Sequence, residues 1–290
     1  MFELRDLIAK ELAEPVDPRV AAFAESIAAK HGDSSRAVLF YGSCLREREL
    51  DGLMLDFYLI VSDYRAAYGK SWLAAANRLI PPNVFYFEHE DLRCKYAVLS
   101  EEDLARYCST EAPDLSVIAR FSQPLRLVWV AGHGARLQVE SAVASAPAVL
   151  AAITMPMLGE GETNDPLNVW RRAFELTYGT ELRAERKERP GSIVERDASF
   201  YRTMTKALPN LATASNGERT WKRFRFRGKR AQIMRLAKAS FTFAGGADYI
   251  AWKINRHAGT DIKLKAWQRR WPLLAAISLL PRLLRTGAVR

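Results

Sequence analysis

Residues 39–61 read LFYGSCLRERELDGLMLDFYLIV, and two features in them could do chemistry. Gly42-Ser43 closes one apolar run. Asp56 stands inside the next, Leu53–Val61, whose other members except Tyr58 have no polar group. An unpaired carboxylate in a low-dielectric strand is costly, so something must hold it. A glycine turn lets the backbone approach phosphate groups, and the serine hydroxyl and turn amides can donate hydrogen bonds to them. A carboxylate can seat Mg²⁺, which offsets charge as one phosphoester bond forms and another breaks. The pattern predicts a minimal site for a nucleoside triphosphate in which a metal ion pairs with Asp56. A Gly-Ser turn is also an ordinary turn, and that reading stands beside the first.

The elements that must position these residues alternate between strand and helix over the first 130 positions. Helical composition over Val20–Lys30 stops at His31-Gly32. Arg36–Tyr41 and Leu53–Val61 read as strands, and Tyr64–Leu79 as one helix ending before Pro81-Pro82. Val84–Phe87, Tyr96–Leu99 and Pro124–Val130 are further strands. A helix starts at Glu101 behind the N-cap candidate Ser100, and Asp114–Phe121 is helix-like. From about Gly132 to Leu208 the pattern is helical throughout, with helices expected within Thr163–Arg189 and over Ile193–Leu208. Asn210–Thr220 reads as a polar linker before the basic run WKRFRFRGKRAQIMR.

A 49% hydrophobic content across 290 residues is enough for a proper core and excludes a disordered chain. Lys+Arg 43 against Asp+Glu 33 makes the net charge +10, so anionic partners are expected: phosphates, nucleic acid or an acidic membrane surface. The three cysteines, Cys44, Cys94 and Cys108, form no CxxC pair, which argues against a disulfide framework or a zinc site. The start MFELRDLIAKELAEP lacks a signal-peptide pattern. No apolar stretch is read as approaching the roughly 20 residues that cross a bilayer. His89, His133 and His257 show no ligand spacing, and Trp170, Tyr178 and Tyr201 fall on helical spacings that suit a core.

Five segments occur in an order that resembles a known family: YGS (Tyr41–Ser43), MLDF with a downstream Val-Ser-Asp (Met54–Phe57, Val61–Asp63), NVFYF (Asn83–Phe87), CKYAVLS (Cys94–Ser100) and ARFSQPLRLV (Ala119–Val128). They are similar to the mitochondrial translocator assembly and maintenance proteins, CTP:phosphatidate cytidylyltransferases of the DNA polymerase β-like nucleotidyltransferase superfamily, and to their bacterial relatives. Fainter likeness continues through ELTYGTELRAERKERPGSIV and KASFTFAGGADYIAWK.

The resemblance implies Mg²⁺-dependent transfer of CMP from CTP to phosphatidate, forming CDP-diacylglycerol for phospholipid and cardiolipin synthesis. It implies that Tyr41, Gly42 and Ser43 grip the triphosphate, with Lys95 and Tyr96 also contacting the nucleotide. Asp56 then binds the metal, and Lys95 and Arg120 act beside it on phosphate groups of nucleotide or lipid. Asp51, Asp63 and Glu88 are the candidates for further metal ligands, alongside waters and substrate phosphates. The wider superfamily carries an Asp-x-Asp pair on this strand, whereas here the first position is Met54.

Phosphatidate stays in a membrane, so the enzyme must sit on one. Lys222, Arg223, Arg225, Arg227, Lys229 and Arg230 alternate with Trp221, Phe224 and Phe226, a mixture suited to anionic head groups; the run also reads as a plain solvated face or as a surface for single-stranded nucleic acid. Trp271–Leu284 is an apolar stretch, interrupted by Pro272 and Pro281, that reads as an interfacial anchor or as a last core helix. Ser240–Gly246 reads as a loop over the lipid head group or as a plain turn. The expectation is an α+β protein with a nucleotidyltransferase-fold domain over 1–132, a mixed sheet with flanking helices. A helical domain over 133–220 and a basic, amphipathic, membrane-contacting segment over 221–290 follow. CTP and phosphatidate are the expected partners, in preference to nucleic acid, and the expected place is the inner face of the cell membrane, from the cytoplasm. The rivals are transfer to a soluble acceptor or RNA, and a basic adaptor without chemistry, which Met54 makes conceivable.

Overall fold

A computed structural model describes residues 2–47, 49–178, 190–208, 217–242 and 265–270. Its centre is a five-stranded mixed sheet of β1 (Ser35–Tyr41), β2 (Met54–Val61), β3 (Asn83–His89), β4 (Leu92–Ser100) and β5 (Leu125–Val130), in the order β3-β4-β2-β1-β5. Only the β2–β4 pair is parallel; the other three pairs are antiparallel. The chain is α+β, with helices on both faces of this sheet.

Two-sided covering explains why the central strands read as unbroken apolar runs instead of alternating ones. On one face Val38, Phe40, Leu55, Phe57 and Leu59 pack with Phe23 and Ile27 of α2 (Pro18–His31) and with Tyr64 of α3 (Tyr64–Ala67) and Ala74 of α4 (Ser71–Leu79). On the other, Leu39, Tyr58, Ile60 and Leu99 pack beneath α1 (Phe2–Ala13), α5 (Glu101–Tyr107), α6 (Ser116–Phe121) and α7 (His133–Thr154). The expected single helix over Tyr64–Leu79 is two helices, because the chain is extended at Tyr68 and Lys70 around Gly69. The predicted cap at Ser100 forms: its hydroxyl accepts from the Asp103 amide at 3.1 Å.

The helical part continues through α8 (Asn168–Tyr178), α9 (Pro190–Arg196), α10 (Ala198–Ala207) and α11 (Gly217–Thr242). The second helix expected over Ile193–Leu208 is thus α9 and α10, with Pro190 at the start of α9. Trp170 and Tyr201 are buried, their rings 5.5 Å apart. One continuous core takes residues from all three expected segments, among them Leu4, Ile8 and Leu12 of α1, Val143 and Leu150 of α7, and Trp221 and Phe224 of α11.

Two further expectations need correction. The first concerns bilayer-crossing length: His133–Met157, 25 residues, is long and apolar enough to span, contrary to the sequence reading. Its most apolar stretch is half buried within the protein, where Val139, Val143 and Leu150 meet the sheet and neighbouring helices. The second concerns α11. Trp221 is 2% exposed and donates from Nε1 to the Ile153 carbonyl at 2.8 Å, and Phe224 is buried beside it. These two aromatics therefore face the core, and of the three expected at a membrane only Phe226 stays exposed. The basic side chains at Arg225, Arg227, Lys229 and Arg230 point outward. Trp271–Leu284 lies outside the described residues, as does most of Ser240–Gly246.

Two measurements follow from this packing. Trp221→Ala should lower the unfolding free energy by about 3–5 kcal/mol in denaturant titration, as expected for a large core truncation and not for a surface residue. His31 ties α2 to α3 and to the sheet, with Nδ1 3.0 Å from the Ala67 carbonyl and Nε2 3.1 Å from the Tyr96 hydroxyl. Burial pushes its pKa below the ordinary 6.5. The unfolded chain therefore binds the proton more readily, so this contribution is present above pH 6.5 and is lost on acidification below it. Replacing His31 with Asn should flatten that acid limb in unfolding titrations run from about pH 7 to about pH 5.

Candidate functional site

Strand pairing sets the site in a single transverse row. Tyr41 of β1 lies opposite Asp56 of β2, Asp56 opposite Lys95 of β4, and Lys95 opposite Tyr86 of β3. Directly opposed residues share a face of the sheet, so these four side chains stand on the same side. It is the face covered further along by α1, α6 and α7, and the core on it ends at this row. One step inward, Tyr58 is buried; one step outward, Met54 is half-buried and Arg93 sits next to it.

The Asp56 carboxylate is tolerated for two visible reasons. Lys95 Nζ is 3.2 Å from Oδ1, with the side chains 35% and 21% exposed respectively, so the pair is partly screened by water. Gly42 supplies the second: its φ is +97°, a region in which L-residues are strained, and a Cβ there would stand 3.3 Å from Asp56 Oδ2. The carboxylate thus packs directly against the turn backbone. Oδ1 is buried and, despite the nearby ammonium, receives no hydrogen bond of proper geometry among the described residues. The lysine is at ion-pairing distance without donating along a hydrogen-bonding direction, and we read the pair as a contact of charges.

Arg120, at the end of α6, lies with its guanidinium carbon 4.9 Å from the centre of the Tyr41 ring. Burial pushes the Tyr41 phenol well above its ordinary range; Arg120 works against that shift and Asp56 with it. Tyr41 therefore stays protonated at neutral pH and is available as a hydrogen-bond donor. Ser43 is exposed at the start of a short 3₁₀ turn, Ser43–Arg46, closed by the Leu45 amide on the Gly42 carbonyl at 3.3 Å. Cys44 is buried, with its thiol pushed up by burial, and fills space beneath the turn.

The structure brings together Tyr41, Gly42, Ser43, Asp56, Lys95 and Arg120, and it separates the other candidates from them. Tyr96 is withdrawn from the site: side chains alternate along β4, so it points to the opposite face, where it is buried against Phe85 and His31. Asp51 is exposed and paired with Arg19 at 3.0 Å. Glu88 shares the Asp56 face but stands two strands away, paired with Arg93 at 3.1 Å and accepting from the Tyr86 hydroxyl. Asp63 caps α3 through the Arg65 and Ala66 amides. Among the described residues no three His, Cys, Asp or Glu side chains gather as a metal cage. Mg²⁺ does not need one, since it is commonly held by one or two carboxylates with substrate phosphates and water. Asp56, with a buried oxygen lacking a donor, fits a metal held that way.

Tyr86 escaped the sequence reading. Period-two alternation through NVFYFEH would have placed it on a face with Glu88, but only the β3–β4 register shows that this face is also that of Lys95.

No protein-family model and no curated protein matches the chain. Among solved structures, a nucleotidyltransferase-like protein from Exiguobacterium sibiricum aligns over 92% of each chain at 11% identity, with a TM-score of 0.28. So remote a likeness carries no argument about function, which has to come from the site itself.

Gly42→Ala offers a direct check on that site. The positive φ should cost about 1–2 kcal/mol in urea unfolding, and the added methyl should press on Asp56.

Proposed function

We propose that this protein is a nucleotidyltransferase that moves CMP from CTP to phosphatidate, releasing pyrophosphate. The observation that carries the reading is the Asp56 carboxylate, held against a positive-φ glycine turn with Lys95 3.2 Å away and Arg120 over the ring of Tyr41, the residue opposite Asp56 on β1. That set suits a polyphosphate better than a neutral substrate. Lys95 offers positive charge to phosphate oxygens from β4 and Arg120 from above Tyr41 on β1, Tyr41 can donate a hydrogen bond, and Ser43 is exposed beside them. Asp56 would hold Mg²⁺ jointly with the nucleotide's phosphates, and the ion would supply charge compensation at the reacting phosphorus.

The chemistry proposed is a direct displacement. An oxygen of the phosphatidate phosphate forms a bond to the α-phosphorus of CTP, and the bond from that phosphorus to the bridging oxygen of the β-phosphate breaks. The electron pair leaves with pyrophosphate. The nucleophile is already anionic, so no strong general base is required, which accords with a row holding one carboxylate and no histidine. What remains for the protein is to align two anions that repel each other and to offset their charge.

The lipid acceptor is supported by α11. Its outward residues join Arg225, Arg227, Lys229 and Arg230 to exposed Phe226, Ile233 and Met234, a pairing of cations with apolar groups that fits an anionic bilayer surface. On this reading the protein binds the inner face of the cell membrane peripherally.

Incubation with labelled CTP, Mg²⁺ and phosphatidate vesicles should yield a labelled lipid, whereas RNA or a soluble phosphate ester in place of phosphatidate should not be labelled. Asp56→Asn should retain the fold by circular dichroism and lose about 10²-fold or more in turnover. Unchanged turnover in that folded variant would remove Asp56 from the chemistry, and labelling of RNA alone would remove the lipid.

A further inference from the structure

The basic helix does more than face outward. Near its end Arg235 turns inward and is 17% exposed, meeting Asp114, which is 3% exposed. Nη2 donates to Asp114 Oδ2 at 2.8 Å, Nη1 to the Ser116 hydroxyl at 3.1 Å, and Nε to the Pro81 carbonyl at 2.7 Å. Asp114 in turn accepts from the Ser116 amide at 2.9 Å and from its hydroxyl at 2.5 Å. One guanidinium therefore grips the residues that start α6. A buried charge pair of this kind is costly to break from one side, which makes it a rigid joint.

Only a short helix, α6 carries Arg120 at its other end. Val117, Ile118 and Phe121 are fully buried, and Phe121 meets Tyr58 edge-on at 5.0 Å. Tyr58 lies 5.2 Å from Tyr41, the ring under Arg120. The joint and the site are thus the two ends of a single short packed rod. The residues of that rod were not expected from the sequence to act together, since Arg235 and Arg120 are far apart in the chain.

We propose that Arg235 is a positioning residue for the polyphosphate site: by pinning Asp114 and Ser116 it fixes where α6 places Arg120 over Tyr41. The inference rests on the reading of Arg120 as a phosphate-binding cation. It makes α11 part of the site's scaffold, so that a chain lacking this helix would keep Asp56 and Lys95 but hold Arg120 loosely.

The test is a double-mutant cycle read by calorimetric titration of inorganic tripolyphosphate with Mg²⁺. Removing both charges together, Asp114→Asn with Arg235→Met, avoids leaving one buried and unpaired. That variant and Arg120→Ala should each bind about ten-fold more weakly than the parent, and their combination no more weakly than Arg120→Ala alone. Should the charge-free variant not fold, Ser116→Ala removes one contact of the guanidinium, and its smaller loss should likewise vanish in the Arg120→Ala background. Lys238→Met is the control, because Lys238 ties the same helix to the Ile80 and Pro82 carbonyls, at the corner before β3. It should bind tripolyphosphate as the parent does.

Losses that add in the combination, unchanged affinity in the Arg235 variants, or an equal loss in Lys238→Met would overturn the proposal. Failure to label phosphatidate with the cycle intact would instead remove only the lipid acceptor. A parent protein that binds no tripolyphosphate would overturn both.

Discussion

The Asp56 carboxylate on an inner strand is the constraint around which the rest is arranged. Strand β2 is flanked on both sides, by β1 and β4, and an ionised group there must be compensated from its immediate neighbours. Compensation comes from Lys95 one strand over, while space for the carboxylate comes from a glycine that no other residue could replace without strain. The two neighbours answer different needs. Lys95 supplies charge, and Gly42 lets the carboxylate lie against the peptide backbone where a larger side chain would push it away.

That arrangement works only because the helical cover stops at the right row. Beyond Tyr58 the face is closed by α1, α6 and α7, and the interior is apolar; at Asp56 it opens. A cation on the last residue but one of α6 then reaches the boundary from above, while Lys95 reaches it from within the sheet. The result is a carboxylate with Lys95 beside it and Arg120 over the neighbouring Tyr41 ring, at the rim of an apolar core where electrostatic interactions are less screened than in bulk water.

Helix α11 joins two environments. Trp221 and Phe224 anchor its first turns in the core, and Arg235 and Lys238 anchor its last turns at the corner before β3 and at the start of α6. Between these anchors its outer surface holds arginines and lysines together with Phe226 and Ile233. A helix so tied cannot swing freely as an independent arm. Whatever surface its basic side meets is therefore met at a fixed orientation relative to Asp56.

The sequence by itself determined the strands, the positions of the turns, and the oddity of Asp56. Apolar runs bounded by Gly-Ser, Pro-Pro and Ser-Glu are local signals, and each marks a strand or helix end in the structure. The Gly42-Ser43 turn itself was legible for the same reason, since the glycine and the serine are adjacent in the chain. The facing of side chains across strands was not. Lys95 and Tyr96 are neighbours in sequence, yet one stands beside Asp56 and the other is buried against His31, because the parallel register between β2 and β4 decides which of them shares its face. Equally hidden were the inward turn of Trp221 and Phe224 and the grip of Arg235 on Asp114. Composition marks a basic helix as basic, but only the packing of distant elements selects which of its cations are solvated and which are buried against a carboxylate.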